Sequence, residues 1–519
     1  MPAKRNYRII RRPRWHQQSE CATAQTRGDF LIRMRRLIGF LMLGLLISAH
    51  SAAAQQQQPE TTFGLESSTK EAVPPLPPRL LQELTALRDA ALSDDYAYRQ
   101  VAHLTENIGP RPAGSPQAQV AVEYVADALR KLGLEVRLEE VRVPRWMRGI
   151  ETAELVEYPG QAPGTSQKIV LTALGGNTPT PVEGLTAEVV VVNGFDQLKG
   201  LGRQKVAGKI VLFNVAFDKQ KAAGGFAGEA YSETVAYRGG GAKAAAELGA
   251  LASLVRSVGG ADYRLPHTGW STAAGIPAGA VTSEDADLIA HLAAQGKVRL
   301  HLTLTSQTRP DVLSYNVVAD LKGSEHPEQV VIVSGHLDSW DLGTGAIDDA
   351  AGVAVAMETA QLVQHLRLHP KRTIRVIAWM DEENGGRGHD AYAKAHESEI
   401  VNHVAAMESD LGAAHPLGFN AKISANALLV LKPVQEILRP IGANLIKTTN
   451  YSPGSDIAPL AKAGVPTLGI MQDGRTYFNY HHTAADTLDK IVPQELRENA
   501  AAMAVMGYAL ANLPEPLPR

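Results

Sequence analysis

Residues 329–357 read QVVIVSGHLDSWDLGTGAIDDAAGVAVAM, and this stretch decides the architecture of the chain. It opens on an apolar run, QVVIVSG, with the length and β-branched content of a buried strand. It closes on the start of a helix, AAGVAVAMETAQLVQHL. Between them lie His336, Asp338, Asp341, Asp348 and Asp349, spaced by glycines. A solvated charged face would carry lysines as well, and none is present. A strand, a carboxylate-rich loop and a helix in series form one unit of an α/β sheet, and the loop suggests a metal site.

Toward the C-terminus the same alternation continues. SYNVVADL, TIRVIAWM, NHVAAMES and VPTLGIM read as strands, while PVQEILRPIG and ELRENAAAMAVMGYAL read as helices. The expected fold is α/β, with a mixed, mainly parallel sheet sandwiched by helices. In such sheets ligands gather at the carboxyl ends of strands. His336 follows one strand, Asp381-Glu382-Glu383 a second, Asp410 a third, and His481-His482 with Asp486 come after a fourth. Taken singly, each has an ordinary explanation. Asp348-Asp349 could cap a helix, Glu382-Glu383 could be an exposed pair, and His481-His482 could be a loop. Their joint placement on one rim favours a metal centre.

Imidazole and carboxylate donors without thiolate suit Zn, Mn or Co. Two ions need a bridging carboxylate, ligands on each side and a spare carboxylate as base. A vicinal Glu-Glu can divide the last two tasks. His365 and His369 also have the i, i+4 spacing of a helical zinc pair, but no HExxH glutamate accompanies them. They read as surface residues at a helix C-terminus.

Upstream, LLQELTALRDAAL and QVAVEYVADALRKLG are amphipathic helices flanking a turn, GPRPAGSP. Residues 146–305 differ in texture. Short β-rich runs (AEVVVVNG, GKIVLFN, IPAGAVTS, VRLHLTL) accompany one helix, AKAAAELGALASLVRSVGG. The expectation is an inserted β-sandwich or barrel with its own core.

At 519 residues the chain is long enough for two domains. Residues 1–54 hold ten Lys/Arg and two Asp/Glu, which leaves 41 against 52 and a net charge of −11 for the remainder. An acidic body argues against nucleic acid as a partner. Met34-Arg35-Arg36, the run LIGFLMLGLLISA and small residues up to Ala54 form the pattern of a secretory signal peptide. Translation could begin at Met1 or Met34. The apolar run is shorter than the ~20 residues of a membrane span, so stable insertion is not expected. The expected location is secreted or periplasmic, with cleavage near Ala54. Cys21, the only cysteine, lies upstream of that cleavage point, which excludes thiol catalysis and thiolate zinc sites.

Four motifs, GHLDSWDLGTGAIDDAAG, WMDEENGGRG, MESD and YHHTAADT, occur in this order. Together they resemble the carboxypeptidase-Q-like family of zinc aminopeptidases and carboxypeptidases, in style also at GPRPAGSP and GSDIAPL. The resemblance implies a secreted di-zinc exopeptidase acting on dipeptides or short peptides, and it implies a homodimer. It divides the chain into an extension with signal peptide (1–54), a linker (55–79), a catalytic domain in two parts (80–145 and 306–519) and an inserted protease-associated domain (146–305). It implies two zinc ions per chain. His336 and Asp410 would serve one and Glu383 and His482 the other, with Asp348 bridging ahead of a cis peptide. Glu382 would be the general base, and Asp338 would orient His336. His481 or Tyr480 would hold the oxyanion. Two alternatives keep the fold: a glutaminyl-cyclase-like acyltransferase, and a metal-free receptor-like binding protein. The latter predicts missing ligands, where this sequence has all five and the base.

Overall fold

A computed structural model describes residues 75–519. The expected signal peptide and most of the linker lie outside the described residues. The strands, in chain order, are β1 (Glu135–Met147), β2 (Glu151–Glu157), β3 (Gln167–Ile169), β4 (Leu171–Ala173), β5 (Leu185–Val192), β6 (Ile210–Phe213), β7 (Ala252–Arg256) and β8 (Ala278–Val281). They continue as β9 (Arg299–Leu304), β10 (Gln307–Leu321), β11 (His326–His336), β12 (Arg372–Trp379), β13 (His403–Glu408), β14 (Pro416–Lys422), β15 (Leu445–Thr448) and β16 (Thr467–Gln472).

One eight-stranded sheet has the order β1-β10-β12-β11-β13-β16-β14-β15. Its centre, β12-β11-β13-β16, is parallel, while β1, β10 and β14 enter antiparallel. The central strands are apolar without alternation because both faces are covered. Val331, Val333, Ile374 and Val376 face one core, which includes the helices Ala351–His365 and Pro493–Asn512. Val330, Ile332, Ile377 and Trp379 face the other. Two arginines sit inside β12, yet neither is unpaired. Arg375 donates to both carboxylate oxygens of Asp320, at 2.7 and 2.9 Å, and to the Tyr392 hydroxyl. Arg372 donates to Gln329 and to the Leu513 carbonyl. Buried guanidinium is tolerated where its fork is satisfied in this way.

The helix after β11 starts where the backbone comes closest. Asp349 accepts from the Gly352 N–H and from the His336 N–H, both at 3.0 Å, so it serves structure at this helix start. A Cβ on Gly352 would run into the Ser409 carbonyl and the Asp349 carboxylate. Gly352→Ala is therefore expected to destabilise the protein by about 1–3 kcal/mol through overpacking. An unchanged thermal midpoint in that variant would contradict this packing.

The second sheet has the order β3-β2-β9-β5-β6-β7-β8-β4 and its own core, including Leu155, Leu212, Leu254 and Leu302. It corrects the expected sandwich or barrel. β5 to β8 are parallel, and parallel neighbours need crossovers, here the helices Phe195–Val206 and Ala227–Glu247 for the first two steps and the irregular segment 257–277 for the third. The expected helix over 242–260 is split. The helix ends at Glu247, Gly249 turns the chain with φ +80°, and ASLVR becomes β7. Arg148 links the two sheets. It pairs with Asp341 at 2.7 Å and with Glu151 at 2.7 Å, and it donates to Thr268 at 3.1 Å. Asp341 thus has a structural role.

Candidate metal centre and active site

The parallel order of the central strands sets their carboxyl ends on one rim. His336 is the last residue of β11, Glu382 and Glu383 follow β12, and Asp410 follows β13. His481 and His482 lie midway along the connection between β16 and the helix Pro493–Asn512. Asp348 lies in the turn that opens the helix after β11, and the peptide between Asp348 and Asp349 is cis.

These side chains form two imidazole–carboxylate clusters that share one residue, and His481 and His482 make a third, all-imidazole group with His267. His336, Asp348 and Asp410 make the first, and Asp348, Glu383 and His482 the second. His336 Nε2 lies 3.1 Å from Asp348 Oδ1 and 3.2 Å from Asp410 Oδ1. His482 Nε2 lies 3.2 Å from Asp348 Oδ2 and 3.0 Å from Glu383 Oε2. The two oxygens of Asp348 therefore face different clusters, which is the geometry of a bridging carboxylate.

The other nitrogen of each ring faces the main chain. His336 Nδ1 is 3.0 Å from the Asp338 carbonyl, and His482 Nδ1 is 3.3 Å from the Thr268 carbonyl. A carbonyl only accepts, so His336 carries hydrogen on Nδ1 and its Nε2 is left to bind a cation. His482 Nδ1 also has the Arg238 Nη1 at 3.2 Å, and its Nε2 faces Glu383 and Asp348. Burial pushes Glu383 up to about 8 and Asp410 up to about 6. Burial alone would lower His482, but Glu383 and Asp348 outweigh it and raise it to about 9. Such a crowd of buried charge calls for a cation. Asp348 Oδ2 and Glu383 Oε1 are buried without a hydrogen-bond partner, as open ligand atoms would be. The donor set, imidazole and carboxylate alone, fits zinc.

Asp338 is placed differently from the expectation. Its main-chain carbonyl, not its carboxylate, holds His336. The carboxylate Oδ1 accepts from the N–H groups of Asp381, at 2.7 Å, and Glu382, at 3.2 Å, so it fixes the turn that carries Glu382. Tyr480 is a correction. It does not line the cavity, and Lys490 lies over its ring at 5.3 Å. His481 does line it and stacks on His482 at 3.7 Å between centroids. His482 takes a left-handed φ of 57°, which the alternation of neighbouring side chains does not anticipate. Asp486 accepts from the N–H groups of Ala346 and Ile347 at 2.8 Å and supports the bridging turn. The buried Arg111, from GPRPAGSP, donates to the carbonyls of Leu337, Thr344 and Gly345 in the same loop. His365 and His369 are exposed, away from both clusters.

The cavity above the clusters has a volume of about 480 Å³. Glu382 lines it yet belongs to neither cluster. Sequence reading missed its other wall. Tyr231, Arg238 and Trp270, from the segment between β6 and β8, close the cavity with Tyr477. No spacing or charge pattern marked them.

An α/β sheet with two imidazole–carboxylate clusters on its rim, a shared aspartate and a free glutamate defines a binuclear metallohydrolase. Residues 316–506 match Peptidase family M28. Carboxypeptidase Q of Homo sapiens is 39% identical over 429 residues, 82% of this chain and 87% of that protein. Carboxypeptidase Q of Xenopus laevis is also 39% identical over 429 residues, with the same shares of the two chains. The crystal structure of a Peptidase M28 precursor from Shewanella amazonensis superposes with a TM-score of 0.80 at 37% identity, covering 85% of this chain and 98% of that one. The chain belongs to peptidase family M28: it is a zinc-dependent exopeptidase with a binuclear zinc centre, and its substrate is a peptide. No described helix is long and apolar enough to cross a membrane.

Proposed function

We propose that the enzyme cleaves dipeptides or short peptides outside the cytoplasm, with Glu382 as general base. His336 and Asp410 hold one zinc, Glu383 and His482 the other, and Asp348 bridges them. The observation that carries this assignment is the division of the Asp348 oxygens between the two clusters. Bound there, the ions supply Lewis acidity to the scissile carbonyl and make water more acidic. Glu382, held by the grip of Asp338 on its turn, takes the proton of the attacking water and delivers it to the leaving amine. His481, rather than Tyr480, faces the developing oxyanion. The pattern at residues 34–54 supports export.

Arg238 suggests which terminus is read. Among the described residues it is the one Lys or Arg lining the cavity, and its Nε is buried without a partner. A substrate carboxylate on that side would satisfy it. Dipeptides with a free carboxylate are therefore expected to be cleaved about tenfold or more faster, in kcat/KM, than their C-terminal amides, the order of one charge-assisted hydrogen bond. Equal rates for acid and amide would contradict this orientation. Cyclisation of an N-terminal Gln peptide without any dipeptide cleavage would replace the peptidase assignment with acyl transfer.

A further inference from the structure

His267 stands outside the zinc clusters' carboxylates, fully buried in the segment between β7 and β8. That segment is stitched to the histidine pair. Thr268 N–H donates to the His482 carbonyl at 3.0 Å, His482 Nδ1 lies 3.3 Å from the Thr268 carbonyl, and Gly260 N–H donates to the Phe478 carbonyl at 2.9 Å. The His267 N–H is itself tied to Ser257 Oγ at 3.0 Å. These bonds set His267 Nε2 at 3.0 Å from His481 Nδ1.

One proton lies between those two nitrogens, and the surroundings say which ring owns it. If His481 donated, His267 would carry its own hydrogen on Nδ1, which is buried and faces no acceptor. The bare Nε2 of His481 would then confront Asp348 Oδ2 at 3.5 Å, lone pair against carboxylate. With His267 as donor, a proton sits on Nε2 of both rings. No buried N–H is then orphaned, and His481 turns an N–H toward Asp348 and the cavity.

We propose that His267 is a positioning residue for peptide hydrolysis: its Nε2–H donates to Nδ1 of His481 and so holds His481 as a fixed Nε2–H donor to the scissile carbonyl oxygen. The inference rests on the peptidase reading of the cavity. It means that the second sheet completes the catalytic arrangement rather than only covering it. A donor whose hydrogen is fixed before reaction costs no reorganisation when charge develops on the oxygen.

The test uses full-length wild type, His267→Leu and His267→Gln, zinc-loaded, with dipeptide kinetics, zinc content and nitrogen NMR of the histidine rings. His481 is assigned by the signal lost in His481→Asn. The wild type is expected to show His481 with hydrogen on Nε2 only. His267→Leu should keep two zincs and lose that single tautomer, and its kcat should fall about 10–100-fold with KM little changed, the usual cost of losing an outer-shell partner. His267→Gln, whose amide can donate from the same side, should recover part of kcat.

Hydrogen on Nδ1 of His481 in the wild type would overturn the proposal, and so would unchanged kcat in a folded His267→Leu. A third zinc that depends on His267 would overturn it as well, because these imidazoles would then be ligands. If the wild type shows the expected tautomer but cleaves no peptide, the reading of the reaction has failed while the histidine pair stands.

Discussion

Glu382→Gln is expected to bind two zinc ions per chain as the wild type does and to lose peptide hydrolysis by about 10²–10⁴-fold, the contribution of a positioned general base. The separation of the two effects follows from where Glu382 sits. It lines the cavity but stands in neither donor cluster, so removing its charge leaves all five ligands in place. The turn is also unaffected, because Asp338 grips the main-chain N–H groups of Asp381 and Glu382 rather than the Glu382 side chain. Glutamine has the same shape and cannot accept and return a proton. The loss should fall on kcat, with KM changing little. Metal analysis and dipeptide kinetics on the same sample check this. A variant that keeps most of its activity would remove Glu382 from the mechanism.

Asp348→Asn should do more damage, and of another kind. Its two oxygens face different clusters, His336 and Asp410 on one side and Glu383 and His482 on the other. Asparagine keeps one acceptor oxygen and puts an NH2 group where the second lone pair was. One zinc position loses its ligand and both lose their shared anion, so zinc content should fall below two per chain with hydrolysis near background. Asp410→Asn, which touches one cluster only, should leave the other zinc bound. An Asp348→Asn protein that holds two zincs as tightly as the wild type would show that this residue does not bridge.

How far the sequence revealed the site depends on the residue. His336, the Asp381-Glu382-Glu383 run, Asp410 and the His481-His482 pair were readable as one group because each comes after an apolar run, and a parallel sheet brings such strand ends to one rim. The choice of Glu383 and His482 as ligands came from the family resemblance. The position of Asp348 ahead of a helix suggested only a cap, and its bridging role came from the family resemblance. The part played by Asp338 was only half legible. That it matters shows in the HLD motif, but whether its carbonyl or its carboxylate holds His336 depends on a loop conformation. That His481 and not Tyr480 lines the cavity was not legible either, and neither was the left-handed backbone at His482 beside it.

The second sheet was the least legible part. Its strands β5, β6, β8 and β9 fall on the β-rich runs, but the layer they form depends on which neighbours run parallel. ASLVR, read as helix, became β7 because Gly249 ends the preceding helix and the run is short and apolar, a case where periodicity cannot decide. Tyr231 and Arg238 line the cavity and His267 stands behind His481, from about 105, 98 and 69 residues before His336, each as an ordinary residue in unremarkable surroundings. Long-range packing alone places them, so no local pattern could have announced them.

The central claim is that this rim holds two zinc ions and that hydrolysis needs both. The most direct test is one preparation of the wild-type protein, assayed for zinc content and dipeptide cleavage as purified, after chelation, and during stepwise return of zinc. The account predicts about two zincs per chain, loss of cleavage on chelation, and recovery that completes only with the second equivalent. Cleavage that persists in the metal-stripped protein, or a chain that takes up no zinc when it is resupplied, would contradict it.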